Sequence, residues 1–119
     1  MKGDRLYLIH VTECIARIRE YTVDGRDAFL SDRRTQDAVL RNLQVLAEST
    51  QRIAPEFRQI HPAVNWKLLS GFRNVLVHDY LGLNMVRVWE FIERALPDLE
   101  RAFASMRDAG TAGKGGSGQ

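Results

Sequence analysis

The chain has 119 residues, 45% of them hydrophobic and 27% charged, which is the size and composition of one globular domain. Its net charge of +2 does not by itself indicate a nucleic-acid partner, although fourteen of the seventeen basic residues are arginine, which binds phosphate through a planar fork. No apolar run approaches the ~20 residues that cross a bilayer, and no signal-peptide pattern is present. The single cysteine, Cys14, excludes an internal disulfide and a zinc site made of cysteines. We therefore expect a cytoplasmic protein with no membrane segment, no metal and no cofactor.

Two helices are predicted in the first half of the chain. Residues 4–21 carry apolar side chains at helical spacing, and Gly25 follows their end. Residues 32–53 form the second helix, with Asp32 as its N-cap. The side chains that we expect on the buried stripes of these two helices are Leu8, Val11, Ile15, Ile18, Val39, Leu43, Leu46, Thr50 and Ile53.

Two more helices are predicted in the second half. Pro55 and Pro62 bracket a loop, because proline fixes φ and lacks the N–H that a helix interior needs. A third helix then covers residues 65–78 and a fourth covers residues 84–106, with a kink or a new start at Pro97. The expected buried side chains of these helices are Trp66, Leu69, Leu76, Met85, Trp89, Ile92, Leu96, Leu99, Phe103 and Met106.

The number of helices and their short connections predict an all-α fold. We expect an antiparallel bundle that forms a single domain over residues 1–108. Residues 109–119 hold five of the nine glycines and no large apolar side chain, which predicts a flexible C-terminal tail.

Three side chains with proton-transfer or anion-binding chemistry lie at the end of the third predicted helix: Arg73, His78 and Tyr80. At ~100° per residue, His78 lies about 140° from Arg73 around the axis, so the groups converge only if the helix unwinds near His78. An imidazole moves protons near neutral pH, and a guanidinium stabilises the charge that develops on phosphorus. Together they suit RNA cleavage in which the 2′-hydroxyl attacks the adjacent phosphate and no metal takes part.

A purely structural role for these residues is the alternative. Arg73 would then pair with a carboxylate, His78 would cap a helix end and Tyr80 would pack against the bundle. The other two histidines, His10 and His61, are predicted to be a packed core or interface residue and a loop residue, respectively.

The segment Arg73-Asn74-Val75-Leu76-Val77-His78-Asp79-Tyr80 resembles the R-x4-H-x-Y signature of HEPN domains, specifically the HepT-like toxin group. The resemblance extends over residues 4–104. Residues 37–48 are similar to that group's second helix, residues 62–66 to the start of its third and residues 83–89 to its fourth. It implies a four- to five-helix HEPN bundle that dimerises so that two motifs face one cleft.

The resemblance also implies an activity and the residues that perform it. HepT-like proteins are metal-independent endoribonucleases, and Arg73 and His78 match their catalytic positions, with Asn74 as the supporting polar residue. Their partner is a minimal nucleotidyltransferase antitoxin of the MntA type, which transfers AMP to the motif tyrosine, here Tyr80, and silences the toxin. The implied partners are therefore an RNA substrate, that antitoxin and a second copy of the chain, with larger assemblies with the antitoxin left open.

Four further residues are candidates for the same site. The group's second helix often carries a Gly-Glu pair, from which this chain departs with Ala47 before Glu48. Glu48 is nevertheless a candidate partner of the motif arginine. The candidates for contacts to RNA phosphates, with an ordinary solvated face as the alternative, are Arg33, Arg34 and Arg41.

Two functions of other classes remain as alternatives to the ribonuclease toxin. One is a helical interaction module that binds a nucleotidyltransferase without catalysis, and the other is a sensor whose cleft holds a nucleotide reversibly. The complete set of Arg73, Asn74, His78 and Tyr80 favours the ribonuclease, because an interaction module has no need of all four.

Overall fold

The fold of the described residues is built from helices and the segments that connect them. The structure is a computed structural model that describes residues 2–79 and 82–117, with the side chains of residues 5–79 and 82–106. Within these residues there are seven helices and no strand: α1 (Lys2–Tyr21), α2 (Arg26–Ser31), α3 (Arg33–Gln51), α4 (Pro55–Gln59), α5 (Trp66–His78), α6 (Met85–Arg94) and α7 (Leu96–Ser117). The predicted all-α fold is confirmed.

None of the described helices combines the length and apolar composition that a membrane crossing requires.

Helix α3 lies at the centre of the bundle. It packs chiefly against α1 and also contacts α2 and α5, while α7 packs against α1 and α6. All the side chains predicted for the buried stripes of the first two helices are buried, and Val11, Ile18, Val39 and Leu43 are fully removed from solvent. The apolar stripes of α1 and α3 therefore face each other, which leaves the polar sides of both helices toward solvent.

The second half of the chain closes this core. Leu69 and Leu76 of α5 are buried as predicted, together with the apolar side chains of α6 and α7 from residue 92 to residue 106 at the predicted positions. Trp66 packs edge-to-face against Phe103, with ring centroids 5.9 Å apart. Trp66, Met85 and Trp89 are half-buried at the edge of the core, so they cover it without being enclosed by it.

Three local features differ from the sequence prediction or refine it. The segment 55–62, predicted as a loop, contains α4, because a proline at the start of a helix lacks only an N–H that would have no helical partner. The short helix α2 was not predicted; it follows Gly25, whose φ of 91° favours glycine, and it buries Phe29. The predicted fourth helix is interrupted at Ala95, and Pro97 lies in the first turn of α7, which is the second of the two predicted alternatives.

Helix α7 continues to Ser117, beyond the end near Met106 that the sequence predicts. After Pro97 the chain has no further proline that would stop the helix, and glycine weakens a helix without ending it. The backbone of residues 109–117 is thus helical, and the division between a domain at 1–108 and a flexible tail stays a prediction.

Side-chain caps fix the starts of the helices that carry the polar residues of interest. The carboxylate of Asp32 accepts hydrogen bonds from the backbone N–H of Arg34 and from the hydroxyl of Thr35. The Thr35 bond lowers the pKa of Asp32, so the contribution of this cap to stability is present above the ordinary pKa of the carboxyl and is lost as the pH falls through the lowered value. Asn65 and Asn84 cap α5 and α6 in the same way.

Candidate active site

The contact between α3 and α5 brings a carboxylate to the motif arginine. Leu69 and Leu76, seven residues apart on α5, are buried in the core and fix the rotation of the helix. Arg73 lies between them on the side of α5 that meets α3. Its Nε donates a hydrogen bond to Oε1 of Glu48 at 2.9 Å. The pairing of Glu48 with Arg73 that the sequence offered as a candidate is therefore present.

This ion pair lies half-exposed at the seam between the two helices. The side chains of Arg73 and Glu48 are 36% and 38% exposed, and a hydrogen bond from Gln51 to Ser70 at 2.9 Å joins the same helices. Within the described part of the chain, Arg73 is hydrogen-bonded through Nε only. The guanidinium is thus held from one side, which leaves its two terminal nitrogens for an external anion. Arginine binds a phosphate in this way, with two parallel hydrogen bonds.

His78 is the last residue of α5 and is exposed. The backbone N–H of Asp79 donates to the carbonyl of Val75 at 2.9 Å, so the helix is regular through His78. At ~100° per residue, the side chains of His78 and Arg73 diverge by about 140° around the axis. The unwinding that would let them converge does not occur, and the two groups of one chain lie on different sides of α5.

The side of α5 that carries His78 is an exposed apolar stripe. Leu68 and Val75 are 41% and 44% exposed, and the space where a Cβ of Gly71 would lie is open. These residues precede His78 at helical spacing and share one face with it, and the exposed Asn74 borders this face. We call the set of Leu68, Gly71, Val75 and His78 the outer stripe of α5. An exposed apolar stripe on one face of a helix is a candidate contact surface.

Tyr80, the predicted modification site, lies outside the described residues. Of the described residues on either side of it, Asp79 is the C-cap of α5, and the N–H of Gly82 donates to the Asp79 carbonyl at 3.1 Å. A Cβ at position 82 would come within 2.5 Å of Oδ1 of Asp79, so glycine permits the close approach found there.

The three arginines predicted to contact RNA are exposed on α3. Arg34, Arg41 and Glu48 follow one another at intervals of seven residues, so they share one face of the helix over about 20 Å. Arg33 lies about 100° away from Arg34 around the axis. Arg34 and Arg41 therefore lie on the same face of α3 as Glu48, the residue that pairs with Arg73.

A groove between α1 and α3 opens beside Glu48, and it is not among the features predicted from the sequence. Its volume is about 340 Å³, and its lining includes Tyr7, His10, Arg41, Gln44, Glu48 and Arg52. His10, predicted as a packed residue, is half-buried, and its ring lies edge-on to Tyr7 with centroids 6.4 Å apart. The feature of the sequence that relates to this groove is a stripe of polar residues at helical spacing in the second half of α3. Only the packing of α1 against α3 shows that this stripe faces a groove.

Cys14 has no place in this site. Its side chain is buried, and burial raises the pKa of its thiol, which keeps it in the weakly nucleophilic protonated form. Cys14 is therefore a small residue of the hydrophobic core. In the part of the chain that the structure describes, no three His, Cys, Asp or Glu side chains are grouped so as to hold a metal ion.

Comparison with known proteins identifies the family. The ribonuclease HepT-like family matches residues 11–106, and the chain belongs to this family. It is 31% identical over 102 residues to a protein of Thermococcus cleftensis named probable ribonuclease HepT, with 85% of this chain and 93% of that relative covered. It is 30% identical over 115 residues to the mRNA nuclease HepT of Shewanella oneidensis, with 76% of this chain and 86% of that protein covered. No solved structure gives a significant match. The resemblance inferred from the motif is therefore confirmed at the level of the family.

Proposed function

We propose that this chain is a metal-independent endoribonuclease that acts as the toxin of a toxin–antitoxin pair. The observation that carries the proposal is the half-exposed guanidinium of Arg73, held through Nε by Glu48 and about one and a half helical turns from His78. The relatives named as ribonuclease and mRNA nuclease support the activity. An RNA substrate is consistent with action in the cytoplasm.

The proposed reaction is a transesterification within the RNA. A base removes the proton of a 2′-hydroxyl, the 2′-oxygen attacks the adjacent phosphorus, and the bond to the 5′-oxygen breaks as an acid protonates it. The products are a 2′,3′-cyclic phosphate and a 5′-hydroxyl. The imidazole of His78 performs one of the two proton transfers. Arg73 binds the phosphate oxygens and stabilises the charge of the pentacoordinate phosphorus, and Asn74, beside His78, orients the reacting groups.

We propose that three arginines of α3 bind RNA phosphates near the one that is cleaved. Arg34 and Arg41 are supported by their alignment with Glu48 on one face of the helix, and Arg33 by its exposure at the start of the same helix. Cations in such positions release counterions from RNA on binding, so the affinity falls as salt is added.

We propose that the active protein is a homodimer joined through the outer stripe of α5. In one chain Arg73 and His78 diverge, so a second chain is needed to complete the surroundings of a phosphate. Two-fold packing of the outer stripe would bring two His78 side chains near one axis. The exposed Leu68 and Val75 and the open space at Gly71 support a close helix-to-helix contact there.

Val75→Glu tests this interface. A carboxylate in the stripe is expected to convert the dimer to a monomer, because an unpaired charge is costly at a contact that excludes water, and the monomer is expected to lose RNA cleavage. Light scattering after size-exclusion chromatography measures the mass, and a gel assay measures cleavage. The matched control is Val23→Glu, since Val23 is 78% exposed in the α1–α2 connection. A wild-type protein that is monomeric and active, or a Val75→Glu protein that stays dimeric, contradicts the interface.

His78→Ala tests the catalytic assignment. Removal of a general acid or base is expected to reduce RNA cleavage in EDTA by about 10²- to 10⁴-fold. The matched control, His61→Ala, removes an imidazole that packs against Phe57 before the start of α5, and it is expected to keep wild-type cleavage. Undiminished cleavage by pure His78→Ala protein would refute the assignment. A wild-type dimer that binds a nucleotidyltransferase but cleaves no RNA would favour the interaction module instead.

We propose that a minimal nucleotidyltransferase antitoxin silences the nuclease by transferring AMP to Tyr80. The phenol oxygen attacks the α-phosphorus of ATP, pyrophosphate leaves, and the phenol proton passes to solvent. Tyr80 follows His78 by two residues in the sequence. An AMP group there would add bulk and negative charge beside the position of the RNA phosphate, which opposes binding by sterics and by like-charge repulsion.

Intact mass measures this modification directly. The chain produced together with a neighbouring nucleotidyltransferase is expected to gain whole AMP units, and the chain produced alone is expected to gain none. Tyr80→Phe should abolish the gain because it removes the acceptor oxygen, whereas Tyr21→Phe, which removes another exposed hydroxyl, should keep it. An unchanged mass in a co-produced and neutralised wild-type protein contradicts AMP transfer and indicates neutralisation by direct binding.

A further inference from the structure

The space of the groove between α1 and α3 has no occupant in the mechanism above, although two of its lining residues, Arg41 and Glu48, belong to the proposed RNA-binding and catalytic sites. Its volume of about 340 Å³ is near the lower end of the ~300–1,000 Å³ that small-molecule sites occupy. A space of this size suits a single nucleotide unit and is too small for a folded RNA element.

The α1 wall of the groove is aromatic. Tyr7 and His10 are both half-buried, and their rings contact each other edge-on at 6.4 Å between centroids. Packing against the core restrains Tyr7, so its ring is a fixed surface at the groove. Aromatic rings fixed in this way are the usual platforms on which unpaired nucleobases stack.

The α3 wall of the groove supplies the polar groups that a nucleotide requires. Arg41 and Arg52 are exposed cations at the two ends of this wall, and the half-buried Gln44 between them carries an amide donor and acceptor. Glu48, the acidic member of the wall, is neutralised by its ion pair with Arg73. The wall therefore presents positive charge to a phosphate and an amide to the edge of a base.

We infer that this groove is a binding subsite for one nucleotide of single-stranded RNA, adjacent to the phosphate that is cleaved. The base stacks on the ring of Tyr7, while His10, whose ring is inclined at 71° to that of Tyr7, borders the edge of the base. The sugar–phosphate chain is held by Arg52 as it leaves the groove. Glu48 links the two sites, because it lines the groove while its Oε1 accepts a hydrogen bond from Arg73 at 2.9 Å. A phosphate on Arg73 and a base in the groove thus belong to neighbouring positions of one RNA strand. This subsite rests on the proposed ribonuclease function, and it predicts a preference for unpaired RNA, because a paired base is not free to enter the groove.

Binding of two fluorescein-labelled oligomers of equal length tests the subsite by fluorescence anisotropy. One is oligouridylate and the other is the same ribose–phosphate chain without bases, and both are added to the full chain in the His78→Ala background, which prevents cleavage. Tyr7→Leu is expected to weaken the binding of oligouridylate by roughly 5- to 150-fold, the range measured for loss of one stacked base. It should leave the binding of the abasic chain unchanged, because that chain has no base to stack.

Five further variants separate stacking from charge and from damage to the fold. Tyr7→Phe keeps the ring and should keep the affinity, whereas Arg52→Ala should weaken both oligomers, since both carry phosphates. The matched controls are Tyr21→Leu at the other end of α1 and Arg87→Ala on α6, and neither should affect binding. Where Tyr7→Leu fails to fold, as judged by circular dichroism, Gln44→Ala replaces it and is expected to weaken oligouridylate only.

The outcomes distinguish the subsite from the proposed function. If Tyr7→Leu weakens the binding of both oligomers equally, or of neither, the subsite is overturned. In that case, RNA cleavage by the wild-type chain would still support the proposed ribonuclease function. Tyr7-dependent binding of uridine monophosphate without any effect on oligouridylate also overturns it and indicates a free-nucleotide sensor. A protein that neither binds oligouridylate nor cleaves RNA refutes the proposed function itself, and the subsite with it.

Discussion

The rotation of α5 against α3 is set by the burial of Leu69 and Leu76, and it decides which side of the helix each polar residue occupies. Arg73 falls into the seam, where Glu48 meets it. A half-exposed ion pair of this kind adds only ~0–1 kcal/mol to stability, whereas loss of a buried leucine costs ~2–5 kcal/mol. Apolar burial therefore holds the two helices together, and the main effect of the ion pair is to aim the guanidinium.

The same rotation gives α5 two chemically different sides. One side presents Arg73 to α3, and the opposite side presents His78 at the end of an exposed apolar stripe. In the proposed dimer the second side is covered by a second chain, which brings the two His78 side chains near one axis. Glu48 belongs to three of the proposed surfaces. It pairs with Arg73 of the catalytic site, shares the face of α3 that carries Arg41, and lines the groove beside Tyr7.

The long helices and their buried stripes were predictable because helical periodicity is a local property of the sequence. Helices α2 and α4 have six and five residues, which is too few for a periodic pattern, and a proline such as Pro55 is compatible with both a loop and a helix start. The motif that carries Arg73 and His78 was evident in the sequence, but its geometry was not. Whether α5 unwinds at His78 depends on hydrogen bonds at the helix end, and here the helix stays regular.

The groove and the ion pair were less accessible to sequence analysis, because they join residues that are distant along the chain. Glu48 and Arg73 are separated by 25 positions, and only the likeness to a family suggested their contact. Tyr7 and Arg52 come together only when α1 and α3 pack side by side. Spacing within one helix predicts which residues share a face, but it contains no information about which neighbouring helix that face will meet.

The proposed reaction requires the 2′-hydroxyl of the RNA substrate as the nucleophile. The decisive experiment uses a labelled RNA in which the nucleotide at each cleavage position is replaced in turn by its 2′-deoxy counterpart, with the wild-type protein and EDTA present. We expect each replacement to abolish cleavage at its own position only, and the remaining products to end in a 2′,3′-cyclic phosphate. Cleavage that continues at a 2′-deoxy position, or products that end in a 3′-hydroxyl, would contradict it.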